Sequence, residues 1–180
     1  MLYILLANGF EEIEALGTVD FLRRCGLEVK MASVIGARMV TGAHGIPVMA
    51  DCLVRRNDIE AGDGVILPGG MPGAETLRKN PTVRRIVETC NASGRLVAAI
   101  CAAPMVLGAS GILHGREATC YPGFETWLRG ADYMPHDVVE CENIITAKGP
   151  GLTIPFAAAI ARRFVTAEVV DNVKEAMFVC

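Results

Sequence analysis

The sequence predicts a doubly wound α/β domain, a mostly parallel sheet with helices on both faces. Two observations carry that reading. Four short apolar runs, at residues 2–7, 28–33, 64–67 and 96–100, have strand length, and three of them are nearly uniformly apolar, as strands covered on both faces should be. Between them lie segments of helical period, and strand-helix-strand alternation at this spacing requires parallel crossovers. At 180 residues, 52% of them apolar, the chain has material for one well-buried domain and is short for two.

The first run is followed by residues 12–24, where Ala15, Leu16, Val19 and Leu22 fall on one side of a helix. Residues 28–33 form the second strand. Residues 39–50, with Gly42, Gly45 and Pro47 between β-prone stretches, read as a hairpin decorating the scaffold. The third strand, 64–67, runs into Pro68-Gly69-Gly70-Met71-Pro72-Gly73, and a helix over 82–91 follows Pro81. The fourth strand, 96–100, passes into a small-residue helix over 102–109. Residues 138–147 read as a second decorating hairpin turning at Glu142-Asn143. Residues 152–163 and 167–177 read as helices, the apolar start of the former being open to a buried strand as well. There is no internal repeat or linker, so residues 1–180 are expected to form a single domain.

Composition removes several function classes. Seventeen Lys and Arg nearly balance twenty Asp and Glu without clustering, so a basic footprint for nucleic acid is missing. The apolar runs fall well short of the roughly 20 residues that span a bilayer. The first run lacks a basic flank and meets Glu11 and Glu12 directly, which reads as a strand rather than a signal peptide. Seven scattered cysteines (25, 52, 90, 101, 120, 141 and 180) contain no CxxC pair, which points to reduced thiols in a cytoplasmic setting. No His-x-x-x-His spacing or carboxylate cluster suggests a metal.

In open α/β sheets ligands bind beyond the carboxyl ends of the strands. Asn8-Gly9-Phe10-Glu11-Glu12-Ile13-Glu14, the glycine-rich loop at 68–73 and Cys101-Ala102-Ala103-Pro104 follow the first, third and fourth strands, so acid, amides and thiol should share one rim. Cys101 sits at an abrupt strand-to-helix junction with small residues behind it, the setting of a nucleophile elbow. A helix N-terminus there would lower the thiol pKa. A buried structural cysteine is the alternative. Pattern does not separate Glu14 from Glu11 and Glu12, for which a solvated first-turn role is the simpler reading. Gly69-Gly70 is either a tight turn or a source of amides for an oxyanion. His114 and His136 fall in loops, while His44, in the hairpin, stays open.

The segments at 8–14, Leu67-Pro68-Gly69-Gly70, Ala99-Ile100-Cys101-Ala102-Ala103-Pro104 and Lys148-Gly149-Pro150-Gly151 stand in the order and spacing of the ThiJ/PfpI superfamily. The chain resembles its DJ-one branch along essentially its whole length. That resemblance implies a flavodoxin-like fold, akin to class I glutamine amidotransferases, a homodimer and no cofactor. It implies that Cys101 is an oxidation-sensitive nucleophile and Glu14 the protonated carboxyl beside it. Gly69, Gly70 and Ala102 would form the amide pocket, with Tyr121, His44, Gly149 and Pro150 near the substrate. The protease-like branch has a histidine where this chain has Ala102, and amidotransferases need a His-x-Glu that is missing here. Human-like members carry a histidine at the position of Tyr121 and a hairpin arginine at that of His44.

The implied activity is that of a cofactor-independent glyoxalase or deglycase acting on α-oxoaldehydes or their adducts, with weak turnover in the absence of a nearby imidazole. A redox-responsive stress protein or chaperone using oxidation of Cys101 is the alternative. A role in thiazole synthesis, which some bacterial labels suggest, would need a phosphate loop that the sequence lacks.

Overall fold

The structure, a computed structural model, describes residues 1–179, so Cys180 lies outside the described residues. In chain order, β1 (Leu2–Leu6), α1 (Glu12–Arg24) and β2 (Val29–Ser33) are followed by β3 (Met39–Thr41), β4 (Pro47–Met49) and β5 (Cys52–Leu53). Next come α2 (Arg56–Glu60), β6 (Gly64–Leu67), α3 (Gly73–Lys79), α4 (Pro81–Ala92), β7 (Leu96–Ile100) and α5 (Pro104–Ala109). The remainder comprises β8 (Glu117–Ala118), β9 (Asp132–Tyr133), β10 (Val138–Cys141), β11 (Ile144–Ala147), α6 (Thr153–Ala161) and α7 (Ala167–Ala176).

Seven strands form one sheet in the order β10-β11-β7-β6-β1-β2-β5, parallel throughout except for the β10–β11 pair. Alternate residues of each central strand enter two separate cores. Leu5, Ala7, Val65, Leu67, Val97 and Ala99 pack with Leu77, Ile86 and Val106 from α3, α4 and α5. Leu2, Ile4, Leu6, Ile66, Ala98 and Ile100 pack with Ala15, Val19 and Leu22 of α1, Phe156 of α6 and Val170 of α7. This is the flavodoxin-like sandwich. Among the described residues no helix is long and apolar enough to cross a membrane.

Three expectations need correction. The segment 138–147 does not decorate the sheet but completes it, because β11 lies parallel to β7 and β10 closes that edge. Residues 102–103 are turn rather than helix, and α5 opens only at Pro104. Helix α3 opens at Gly73, the last residue of the glycine-rich loop at 68–73, and runs over residues to which sequence patterning assigns no element. The segment after 152, open between helix and strand, is the helix α6, its alanines packed against α1. There Gly17 makes the close approach possible, since a Cβ on it would lie 2.8 Å from Thr153 Cγ2.

Candidate active site

Ala99 and Ile100 of β7 face opposite cores, and simple alternation would send residue 101 toward α3–α5. Cys101 instead takes φ +63°, which turns its side chain back to the face that carries α1. A non-glycine residue there costs roughly 1 kcal/mol or more, so its surroundings must hold it. Three backbone bonds do: Cys101 N–H donates to Ala147 O (2.8 Å), Tyr121 N–H to Cys101 O (2.9 Å), and Ala103 N–H to Ile100 O (3.0 Å). Ala102 and Ala103 are both buried, and larger side chains would not fit the bend. Cys101 itself is half-buried.

Glu14 lies on the buried stripe of α1 with Ala15, Thr18, Val19 and Leu22, and is 0% exposed. Its Oε2 accepts from Gly69 N–H at 2.7 Å, its Oε1 is buried with no hydrogen-bond partner, and the Cys101 thiol hydrogen-bonds the same carboxyl. Gly69 must lack a side chain, because a Cβ would lie 2.7 Å from Cys101 Cβ and 2.8 Å from Glu14 Oε2. The amides of Gly70 and Ala102 donate toward the sulfur. Gly69 thus serves the acid, while Gly70 and Ala102 serve the thiol.

Burial pushes the Glu14 carboxyl up to about 7, partly offset by the Gly69 amide and the thiol, with the Glu11 charge adding to the rise. Burial, then the charge of Glu14 and its hydrogen bond, push the Cys101 thiol up to about 12 against the amides of Ala102 and Gly70. The expected lowering of the thiol by a helix N-terminus is therefore overturned. Helix α5 starts three residues further on, at a proline with no N–H to offer, and desolvation outweighs two amides. Below about pH 7 the pair is neutral; above it, two groups share one negative charge.

Tyr121 is tied to the elbow through its backbone. Its ring is 46% exposed, meets Phe124 edge-on at 6.4 Å and covers Gly149, where a Cβ would lie 3.2 Å from the ring. Pro150 opens the short turn before α6 and accepts from Thr153 Oγ1 at 2.7 Å. His44 is exposed and its Nδ1 lies 2.8 Å from Glu12 Oε2. Glu12 is not the solvated acid that the sequence suggests: it is 6% exposed, and its Oε1 accepts from His44 N–H at 2.8 Å and Ile46 N–H at 3.5 Å. Gly42 makes room for that carboxylate, since a Cβ there would overlap it. Further bonds from Gly9 N–H to Thr41 O (2.8 Å) and Ala43 N–H to Phe10 O (2.8 Å) fasten the β3–β4 hairpin over the start of α1. Neither His114 nor His136, both exposed, belongs to this rim.

A thiol on a positive-φ elbow beside a buried glutamate, on this sheet order, is a combination that can be compared with known proteins. A model of the DJ-1/PfpI family matches residues 1–163. The chain belongs to the DJ-1/PfpI family. It is 38% identical over 165 residues to Protein DJ-1 homolog B of Arabidopsis thaliana, covering 91% of this chain and 38% of that protein. It therefore spans well under half of that relative's length. It is 35% identical over 160 residues to a protein of Caenorhabditis elegans named Glutathione-independent glyoxalase DJR-1.2, covering 88% of this chain and 85% of that one. In structure it is similar to a mutant of a DJ-1 superfamily protein from Salmonella typhimurium. The TM-score is 0.93 and the identity 34%, with 99% and 98% of the two chains covered. DJ-1/PfpI membership accounts for the mostly parallel sandwich and for the four motifs standing in register.

Proposed function

We propose that this DJ-1/PfpI protein is a cofactor-independent, thiol-dependent enzyme acting on α-oxoaldehydes or their adducts with amines and thiols. The observation that carries the reading is the fully buried Glu14 carboxyl beside the Cys101 thiol, which burial pushes up to about 7. A base working at neutral pH needs a pKa near that pH. The thiol is too weak an acid to ionise alone, so Glu14 takes its proton as sulfur adds to the aldehyde carbon. The Gly70 and Ala102 amides stabilise the charge that builds up as the proton leaves.

Glu14 returns that proton to the carbonyl oxygen, which gives a hemithioacetal and restores the carboxylate. Glu14 then removes the proton from the former aldehyde carbon and returns it to the neighbouring carbon, while the hydroxyl proton passes to the former ketone oxygen through an enediol. One carbon is oxidised and the other reduced, so the electrons balance within the substrate and the product is a 2-hydroxyacyl thioester. Water cleaves the thioester, releasing a 2-hydroxy acid and restoring the thiol. In this reading Tyr121, whose N–H donates to Cys101 O, orients the adduct. The C. elegans relative named as a glyoxalase supports this class.

Methylglyoxal consumption by wild type, Cys101→Ser and Glu14→Gln tests the reading. Cys101→Ser should be inactive, and Glu14→Gln should lose at least 100-fold. A Glu14→Gln variant as fast as wild type would overturn the role of the acid. A redox role is favoured instead if peroxide converts Cys101 to a sulfinate while no aldehyde is consumed, since the same carboxyl and amides surround any oxygen added to the sulfur. In either role we expect a homodimer.

A further inference from the structure

The thiol stands between two neighbours fixed by the sheet order. Strands β6 and β11 flank β7, pairing Leu67 with Ala99 and Ala147 with Ile100. Continued past the strand ends, that register sets Gly69 on one side of Cys101 and Lys148 on the other. Strands two positions apart in a sheet are separated by about 10 Å. On the β6 side Met71 follows Gly70, whose amide donates toward the sulfur. On the β11 side Tyr121, bonded through its N–H to Cys101 O, covers Gly149. Met71 and Tyr121 therefore flank the thiol from opposite sides.

Both side chains are open to a ligand, Met71 being 49% exposed and Tyr121 46%. Both are also held. Ala74 N–H to Gly70 O (2.9 Å) and Gly73 N–H to Gly9 O (3.2 Å) tie the loop that carries Met71, and the Tyr121 ring rests on Gly149 and Phe124. An aromatic ring prefers another ring, or a thioether sulfur, at roughly 5 Å. A slot about 10 Å wide thus admits one flat group between them. Its charge is of one sign. Glu11 is the charge from outside the reacting pair that reaches Glu14. Lys148 is turned to Pro135 O (2.9 Å) and Asp137 Oδ1 (3.4 Å) instead. Neither Met71 nor Tyr121 belongs to α1 or to the hairpin, through which the dimer is expected.

We propose that Met71 and Tyr121 are specificity-determining residues, the two walls of a slot that takes an uncharged aromatic group on the ketone carbon of an α-oxoaldehyde. The inference rests on the function proposed above and narrows its substrate class to aryl α-oxoaldehydes. When sulfur adds to the aldehyde carbon, the aryl group on the adjacent carbon lies between thioether and phenol. A methyl group there fills little of the slot, and a carboxylate meets the charge of Glu11.

Two measurements separate recognition from turnover. In the first, kcat/KM for phenylglyoxal should exceed that for methylglyoxal by about tenfold or more. Met71→Ala and Tyr121→Ala should each collapse that ratio, while Tyr121→Phe, which keeps the ring, should retain it. The second is alkylation of Cys101 by phenacyl bromide and by bromoacetone, read by peptide mass mapping. Sulfur displaces bromide from either reagent and the thiol proton leaves to solvent. The phenacyl-to-acetonyl rate ratio, divided by the same ratio for glutathione, should be about ten in wild type and fall toward unity in both alanine variants. A wild-type value near unity, or one that neither alanine variant lowers, overturns the slot even if both aldehydes are consumed. A high value that both variants lower, with neither aldehyde consumed, upholds the aromatic slot and overturns the α-oxoaldehyde reading instead.

Discussion

Glu14 is fully buried, so its charged form has lost hydration in the native state that it keeps in the unfolded chain. Its pKa is about 7 when folded against an ordinary value of 4.5. Over that interval the unfolded chain gives up a proton that the native protein retains, so this group's contribution is complete below 4.5 and is lost as pH rises through 7. The total is on the order of 3 kcal/mol. Urea midpoints measured at pH 5 and pH 8 should therefore drop for wild type and change less for Glu14→Gln; equal pH slopes would refute it. Cys101 was legible in the sequence because a strand end, two alanines and a proline mark an elbow. Glu14 was singled out only by the family resemblance, because three acids in one turn look alike in pattern until burial sorts them. The clue was its place four residues before Thr18 and eight before Leu22, on the stripe that also holds Ala15 and Val19. Glu12 escaped for another reason: its partners are backbone amides of a hairpin more than 30 residues away.

Helices α1 and α6 meet where Gly17 faces Thr153, and two opposing effects of Gly17→Ala can be weighed there. Alanine favours a helix over glycine by about 1 kcal/mol. Its Cβ would lie 2.8 Å from a β-branched side chain that is itself 4% exposed and cannot swing away. Overpacking costs typically 1–3 kcal/mol, so the net should be a loss of about 1 kcal/mol. Thr153→Ser removes the offending methyl, and Gly17→Ala in that background should become stabilising, a non-additivity readable from urea midpoints. Additive effects would place the tight contact elsewhere. Of the elements that sequence patterning found, the strands β1, β6 and β7 are uniformly buried and α1 has a clear helical period, while β2 is buried at Val29, Ala32 and Ser33 and open at Lys30. Strands β5, β8 and β9 have two residues each and α2 five, too few for a period to show. The 138–147 hairpin was seen, but its membership of the sheet was not, because pairing β11 with β7 is a choice of partner that local pattern does not encode.

Ile13 (56% exposed), Met39 (49%), Ile46 (52%) and Met49 (53%) place apolar surface on α1 and on the hairpin fastened over it. Met39 pairs with Met49, so those two side chains share a face. Exposed apolar groups of this kind can serve association, and a homodimer through α1 and the hairpin is the predicted use. Light scattering at micromolar concentration should give twice the chain mass, and Ile46→Glu with Met49→Glu should halve it; a monomeric wild type would remove the dimer from the account. The clamp on Cys101 has a consequence of its own for assembly. The elbow is gripped by Ala147 O and Tyr121 N–H, both supplied by chain that leaves the ribosome after the thiol does. A nascent chain that ends before β11 already carries Glu14, Gly69, Cys101 and Tyr121, yet lacks the Ala147 carbonyl that accepts from Cys101 N–H. Reactivity should therefore switch on late and together with the closing edge of the sheet, and fraying of that edge in the finished protein would silence the thiol with every site residue still present.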